Sequence, residues 1–340
     1  PSLDHMLAYT FNPTYGTAGD TGSAGAGFPA AVTGCSYLAG RAPNWMLGSM
    51  SPDNGVQYVG APGSAKLLPL PGYPAFAANN KSRKGLVLAT SNDGILYGID
   101  ADAGAMEWGW MPRPFVAQLK QYTALASKRL FDGGFRVADA VDTTAASATA
   151  SNWASYVVGT AQGGAYHYAL KLSSNTNATD TTAPRPSAQA WGISVPGGTS
   201  PQMQEPLVVT VGGQQYALFT VNVTSGGITT SKLYEVNVAT GEPKVAGEPI
   251  SATLSLGAAG IAANSALSYD ALTGTLWLGD TAGGVWSVNI TGQPALDAAT
   301  ARKIGTTSPV APVNFVGYGE RNSMPYVWAG TKNKVTTFVL

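Results

Sequence analysis

The sequence is poor in the residues that most often catalyse reactions or bind metals. It contains one cysteine, Cys35, and two histidines, His5 and His167. A single Cys excludes an internal disulfide and a cysteine-based zinc site. Neither histidine has a second His or a Cys at ligand spacing, and we expect His167 to be a strand residue with a backbone hydrogen-bond partner. The sequence therefore predicts a protein that is not an enzyme, with no catalytic, cofactor-binding or metal-binding residues.

Charge is also scarce. The chain has 19 basic and 19 acidic residues, a formal net charge of zero, and charged residues are 11% of the total. A neutral chain lacks the basic surface with which proteins bind nucleic acids or anionic lipids. No apolar run approaches the length of a membrane-spanning helix, which is about 18 residues or more. Low charge with abundant Thr, Ser and Asn fits an exported protein. No signal peptide is visible at the start, so an exported protein would be seen here in its mature form or, as we favour, as a fragment of a longer one.

The abundant residues predict short strands joined by turns. Gly accounts for 42 residues and Pro for 22, while 44% of the chain is hydrophobic. One pattern recurs: a β-rich run ends in a small residue, a polar turn with Gly follows, and an alternating strand completes a hairpin. Clear copies lie at 86–104, 156–172, 276–289 and 326–340, and weaker copies lie at 56–70 and 216–242.

Similar hairpins at intervals of about 30 to 70 residues are typical of a β-propeller. Seven blades would have about 49 residues each, close to the repeat length of known propellers. We predict an all-β fold, a modified seven-bladed β-propeller with irregular blades, in which 1–340 form one domain and 1–35 a partly irregular lead-in. A strand around Leu7–Phe11 would complete the last blade and remove its exposed edge. A two-sheet sandwich is the alternative, but it would not need so many similar hairpins.

Some segments depart from the strand pattern. Pro112-Arg113-Pro114 precedes apolar residues at helical spacing, which predicts one short inserted helix over roughly 114–126. Gly-rich or Ser/Thr-rich composition predicts loops at 14–27, 142–152 and 173–188. The basic run Lys81–Lys84 is interpreted as a solvated turn.

Two blade-like segments carry distinctive motifs, SNDGILYGIDADAGAMEWGWMP at 91–112 and LWLGDTAGGVWSVN at 276–289. The first resembles the hallmark repeat of the PilC/PilY family of type IV pilus tip proteins, and the second resembles the Gly-Asp-x-x-Gly-x-x-Trp blade of the same family. The resemblance covers roughly 36–340. We expect these motif residues to shape turns and to pack between blades rather than to form a site. The matching residues are Asn92, Asp93, Gly94, Leu96, Asp100, Gly104, Trp108 and Pro112 in the first segment, and Gly279, Asp280, Gly284 and Trp286 in the second.

The resemblance implies a function as well as a fold. The C-terminal domain of this family is a modified seven-bladed propeller that promotes type IV pilus assembly, opposes retraction, and contributes to surface or host adhesion and twitching motility. Its expected partners are minor pilins and the pilus tip, with a host or surface receptor as a further candidate. Its expected location is outside the cytoplasm, at the pilus tip, the cell surface or the outer membrane.

One departure from the family concerns calcium. Family members carry an Asp-rich calcium loop just before the Gly-Asp-x-x-Gly-x-x-Trp blade, and the corresponding positions here are Ala266, Ser268, Asp270 and Gly274. One carboxylate is too few for a cation that takes six to eight oxygen ligands, largely from acidic side chains. We therefore predict that the calcium site is absent.

Two other kinds of propeller remain as alternatives. Quinoprotein dehydrogenases share the Asp-x-x-x-Gly-x-x-x-Trp signature, but they generally have more blades, a central calcium site and often a vicinal disulfide, which a single Cys cannot form. An outer-membrane scaffold propeller is the other alternative, although its repeats should be more uniform and it would not need the helix after Pro112.

Overall fold

A computed structural model describes residues 55–91, 94–116, 118, 130–201, 205–290, 301–321 and 324–340. The predicted strand around Leu7–Phe11, the lead-in over 1–35, the loop at 14–27, and the motif residues Asn92 and Asp93 lie outside these ranges. The described residues form five antiparallel sheets, and in four of them the strands follow chain order without exception. The all-β fold is therefore confirmed.

The first two sheets contain four strands each. The first consists of β1 (Val56–Val59), β2 (Leu86–Thr90), β3 (Leu96–Asp100) and β4 (Met106–Trp110). The second consists of β5 (Phe135–Val141), β6 (Trp153–Ala161), β7 (Tyr166–Leu172) and β8 (Pro186–Ser194). Helix α1 (Tyr73–Asn79) lies between β1 and β2, helix α2 (Arg113–Val116) follows β4, and short 3-10 helices occupy Ala145–Ser147, Ala150–Asn152 and Gln162–Gly164.

The remaining sheets repeat this arrangement with variations. In the third, β9 (Gly198–Thr199) and β10 (Leu207–Val211) both pair with β11 (Gln214–Ser225), which is followed by β12 (Ile228–Asn237) and β13 (Ser251–Thr253). The fourth consists of β14 (Ser268–Asp270), β15 (Thr275–Gly279), β16 (Gly284–Asn289) and β17 (Arg302–Thr306). The fifth consists of β18 (Phe315–Arg321), β19 (Met324–Gly330) and β20 (Val335–Val339).

The hydrophobic core lies between consecutive sheets. Leu88 of the first sheet shares a buried cluster with Tyr168 of the second, Val158 of the second clusters with Phe219 of the third, and Leu218 of the third clusters with Leu276 of the fourth. A fifth cluster joins the fourth and fifth sheets. Each fully buried side chain of this size contributes roughly 1.5–3 kcal/mol relative to an exposed one. The second, third and fourth sheets therefore bury both faces against their neighbours in chain order, as the blades of a propeller-like fold do.

Neighbouring sheets contact each other through the strands at one edge of each sheet. Strand β5 contacts both β1 and β10, and β18 contacts β14. Each of these strands lies at an edge of its sheet, so neighbouring sheets approach each other along these edges. Because the described residues provide five sheets, the number of seven blades remains a prediction.

Most of the predicted hairpins are confirmed, and one is wrong. The segments 86–104, 156–172, 216–242, 276–289 and 326–340 contain β2–β3, β6–β7, β11–β12, β15–β16 and β19–β20. The segment 56–70 forms only β1, which pairs with β2, and then a series of turns. The expected second strand fails because Pro69 and Pro71 cannot donate to a ladder. The chain instead enters α1, whose second residue, Pro74, suits a helix start.

Two boundaries also differ from expectation. The helix predicted over 114–126 begins at Arg113, and its described part ends at Val116 with a turn at Gln118, while 119–126 lie outside the described residues. The predicted loop at 173–188 ends early, because β8 already begins at Pro186 and pairs with Leu172. A proline at the first position of a strand is tolerated there, so composition alone did not reveal the strand.

Candidate functional site

The Asp100 motif forms a turn between β3 and β4. Asp100 Oδ1 accepts hydrogen bonds from the backbone N–H groups of Asp102 and Ala103, at 2.9 and 3.2 Å, and Gly104 adopts a φ of 68°. Lys84 Nζ lies 2.6 Å from Asp100 Oδ2, and its hydrogen bond lowers the pKa of the Asp100 carboxyl. The side chain thus replaces the backbone partners that a tight turn lacks, as expected from the sequence.

The tryptophan of the same motif joins two blades. Trp108 is 9% exposed, and its Nε1 donates to the carbonyl of Pro184 in the loop before β8, at 2.9 Å. Trp191 repeats this bond one blade further on, where its Nε1 donates to the carbonyl of Val238 at 2.9 Å. The expectation that Trp108 packs between blades is confirmed.

Asp280 organises the turn between β15 and β16. Its Oδ1 accepts from the backbone N–H groups of Ala282 and Gly284, and its Oδ2 accepts from Trp286 Nε1, each at 2.7 Å. Asp280 is 1% exposed, so all three hydrogen bonds are shielded from water. The Gly-Asp-x-x-Gly-x-x-Trp motif is therefore a structural clamp in which the second Gly provides room for the carboxylate beside it.

The four positions aligned with the family calcium loop contain one acidic side chain, and its oxygens accept hydrogen bonds from within the adjoining turn. Asp270 Oδ1 accepts from the backbone N–H of Leu272 at 2.9 Å, and Oδ2 accepts from Thr273 Oγ1 at 2.5 Å. Within the described ranges, no three His, Cys, Asp or Glu side chains are grouped closely enough to hold a metal ion. The absence of this calcium site remains a prediction, and so does the absence of catalytic and cofactor residues.

His167 is enclosed by strands, while His5 lies outside the described residues. The His167 ring stacks on Phe219 with centroids 3.9 Å apart, its Nδ1 lies 3.1 Å from Thr160 Oγ1, and its Nε2 lies 3.0 Å from the carbonyl oxygen of Gly164. Burial lowers the pKa of the imidazole to about 3, so the ring is neutral near pH 7. Its geometry is that of a core residue with a backbone partner.

The basic run at 81–84 is a solvated turn at Lys81 and Ser82, as expected, but the expectation is wrong for Arg83 and Lys84. Lys84 pairs with Asp100 and Glu107, and Arg83 is only 7% exposed. Arg83 Nε donates to the carbonyl of Gly60 at 2.6 Å, and Nη1 donates to Ser155 Oγ at 3.0 Å. A basic run normally indicates a solvated surface, and nothing in the sequence pairs Arg83 with a hydroxyl on a different sheet.

A carboxylate completes this buried network without touching the arginine directly. Ser155 Oγ donates to Asp139 Oδ1 at 2.6 Å, and the Tyr73 hydroxyl donates to Asp139 Oδ2 at 2.7 Å. Burial raises the pKa of the Tyr73 hydroxyl, so it remains a protonated donor. The network links α1 and the first two sheets.

Arg83 and Asp139 both line a cavity where the first strands of three sheets converge. The cavity has a volume of about 330 Å³ and is bordered by β1, by the loop after it, by β5 and by β10. Charged residues on its wall are Lys66, Arg83, Arg136 and Asp139, and Arg136 is ion-paired with Glu205. We call this the first-strand cavity, and it is the candidate functional site that the sequence did not reveal.

Comparison with known proteins supports the resemblance found in the sequence. No family model matches the chain. A type IV pilus biogenesis factor PilY1 homolog from Xylella fastidiosa is 27% identical over 239 residues, which cover 67% of this chain. The crystal structure of the Pseudomonas aeruginosa PilY1 C-terminal domain matches 81% of this chain with a TM-score of 0.53 and 18% identity. The resemblance to the PilC/PilY family is confirmed. The chain resembles a PilY1 homolog in sequence and the PilY1 C-terminal domain in fold.

The match covers only part of each PilY1 protein. The chain spans 18% of the Xylella fastidiosa PilY1 homolog and 59% of the crystallised Pseudomonas aeruginosa chain. A quinohemoprotein alcohol dehydrogenase from Pseudomonas putida also matches, with a TM-score of 0.38 and 12% identity. That likeness is too low to support an argument about activity. None of the helices in the described ranges combines the length and the apolar character needed to cross a bilayer.

Proposed function

We propose that the chain is the propeller module of a pilus-tip protein and that it promotes type IV pilus assembly by opposing retraction. The observation that supports this most strongly is the 27% identity over 239 residues to a protein named as a type IV pilus biogenesis factor. In this proposal residues 1–340 act as one non-enzymatic propeller domain of a longer, exported protein. The module works at the pilus tip, on the cell surface or at the outer membrane.

The mechanism of this role is binding by a rigid body. Adjacent blades are joined by buried clusters and by the Trp108 and Trp191 hydrogen bonds. These contacts resist sliding of one blade against the next, so the propeller behaves as a rigid body. With a net charge of zero, its contacts with minor pilins or a surface receptor depend on hydrogen bonds and aromatic or aliphatic anchors. Exposed apolar side chains in the described residues include Tyr58, Leu272 and Val310, at 65%, 84% and 69% exposure.

Pilus counts test the assembly role. We would delete the segment encoding this chain in its source organism and count surface pili by electron microscopy, alone and together with loss of the retraction motor. The proposal predicts few pili in the single deletion and recovery of pili when retraction is also disabled. Unchanged pilus numbers in the single deletion would contradict the assembly role, and failure to recover would contradict opposition to retraction.

Adhesion and enzymatic activity need separate measurements. In the strain that lacks the retraction motor, pili are present with or without the module, so attachment to host cells or to an abiotic surface measures adhesion without the assembly defect. Equal attachment by both strains would contradict the adhesive role. Titration of the purified protein with pyrroloquinoline quinone, followed by absorbance, should give no saturable change, and stoichiometric binding would favour the dehydrogenase alternative.

A further inference from the structure

We propose that the first-strand cavity binds a compact monocarboxylate, held by Arg83 and Lys66. The inference does not depend on the pilus role, since it concerns a site that can be measured on the purified protein. Neither the family motifs nor their turns contribute to it.

The guanidinium of Arg83 is the main reason for expecting an anion. It is held in place through Nε and Nη1, and among the described residues Nη2 donates to no acceptor. No ion pair joins Arg83 to a carboxylate in the described ranges, because Ser155 lies between it and Asp139. A buried charge with no direct counterion is costly, and an anion in the cavity would satisfy both the charge and the remaining donor.

The charge balance of the wall favours a single negative charge. Arg136 is neutralised by Glu205, which leaves Lys66 and Arg83 against Asp139. Both oxygens of Asp139 already accept hydroxyl hydrogen bonds, from Tyr73 and Ser155, which partly offset the negative charge that this carboxylate places on the wall. A surplus of one positive charge fits a carboxylate better than a doubly charged phosphate.

Size and lining limit the rest of the ligand. At about 330 Å³ the cavity lies at the lower end of the usual range for small-molecule sites, which is about 300 to 1,000 Å³. The wall near the charged groups combines apolar side chains, such as Val59, Leu67 and Val208, with polar ones. The ligand is therefore a carboxylate with a short body that is at least partly apolar. It can be a free small acid or the carboxyl terminus of a polypeptide that ends in an aliphatic residue.

Calorimetric titration of the purified protein at low ionic strength distinguishes these two sources. The probes are isovalerate, the tripeptide acetyl-Ala-Ala-Val with a free carboxylate, and the same tripeptide as its amide. The proposal predicts saturable binding of at least one of the two carboxylates and at least tenfold weaker binding of the amide. Isovalerate alone would identify a small acid, and the free tripeptide alone would identify a chain terminus. No binding of either, or equal binding of the amide, would overturn the proposal.

Variants test whether the binding is located in the cavity. Lys66 is exposed and forms no hydrogen bond or ion pair among the described residues, so Lys66→Gln should fold normally and weaken binding about tenfold. Arg83→Lys keeps the charge but loses the fork of donors, and it should weaken binding at least as much. Lys332→Gln, an exposed site on the turn between β19 and β20, is the matched control. Unchanged affinity in Lys66→Gln would show that the carboxylate binds elsewhere.

Discussion

The Asp280 clamp is the structural feature whose removal has the most predictable effect. In Asp280→Asn, the amide oxygen can still accept from Ala282 and Gly284, but the amide nitrogen then faces Trp286 Nε1. Two donors cannot satisfy each other, so a buried indole N–H loses its partner. The substitution is isosteric, which leaves the packing of the turn otherwise unchanged.

The expected cost follows from the three hydrogen bonds. An unsatisfied buried donor costs about 1–3 kcal/mol, and two hydrogen bonds lose the contribution of a charged acceptor, about 1 kcal/mol each. We therefore expect Asp280→Asn to lower the free energy of unfolding by about 3–5 kcal/mol. Trp286→Phe removes the conflicting donor, so Asp280→Asn should cost about 1–3 kcal/mol less in that background.

Urea denaturation followed by tryptophan fluorescence measures both values. Asp102→Asn is the matched control, since Asp102 is an exposed turn residue and surface substitutions usually change stability by less than about 0.5 kcal/mol. A loss below about 1 kcal/mol in Asp280→Asn would refute the clamp. Additive effects of the Asp280 and Trp286 substitutions would show that the two side chains are not coupled.

Three further predictions concern turns, pH and calcium. Gly94→Ala should cost at least about 1 kcal/mol more than Gly104→Ala, because both glycines have positive φ but only at Gly94 would a Cβ meet Leu130 Cδ1, at 2.8 Å. Because His167 is buried and neutral, the free energy of unfolding should decrease as the pH is lowered below about 6.5, by up to about 1.4 kcal/mol per pH unit. The decrease should level off near pH 3, where the pKa of the buried imidazole lies. His167→Gln should remove this contribution to the pH dependence. Added calcium should leave the melting temperature unchanged.

Each of these predictions has a result that would contradict it. If Gly94→Ala and Gly104→Ala lost the same free energy of unfolding in urea denaturation, Leu130 would move aside at no cost. The free energy of unfolding of His167→Gln would be compared with its own value at pH 8, so that the overall loss of stability does not matter. If it then decreased with falling pH as steeply as in the unsubstituted protein, the imidazole would protonate within the fold. A rise of several degrees in melting temperature with calcium would reveal a site that 266–274 do not suggest.

The hairpins could be predicted because their causes are local. A glycine at a positive φ, such as Gly283 at 82°, lies between two short alternating strands, and all of these residues are adjacent in the chain. The motif tryptophans could also be assigned, since a tryptophan is buried on average and both belong to blade motifs whose packing the sequence predicted. The error at 56–70 was local too: Pro69 and Pro71 were signals against a strand.

The candidate site could not be predicted, because its parts are distant in the chain. Arg83, Asp139 and Ser155 come from the end of one loop and from two strands of another sheet, and each is unremarkable in its own sequence context. The burial of Arg83 depends on how the first two sheets pack. A basic run near a strand is usually solvated, so the local pattern predicted the opposite of the geometry observed at Arg83.

The central claim, that this chain belongs to a pilus-tip protein, can be tested directly by immunogold electron microscopy. Cells of the source organism would be labelled with antibody raised against the purified protein, with the deletion strain as the control for background. The account predicts gold particles at the free ends of type IV pili. Gold confined to the cell body, on cells whose pili are visible and unlabelled, would contradict it.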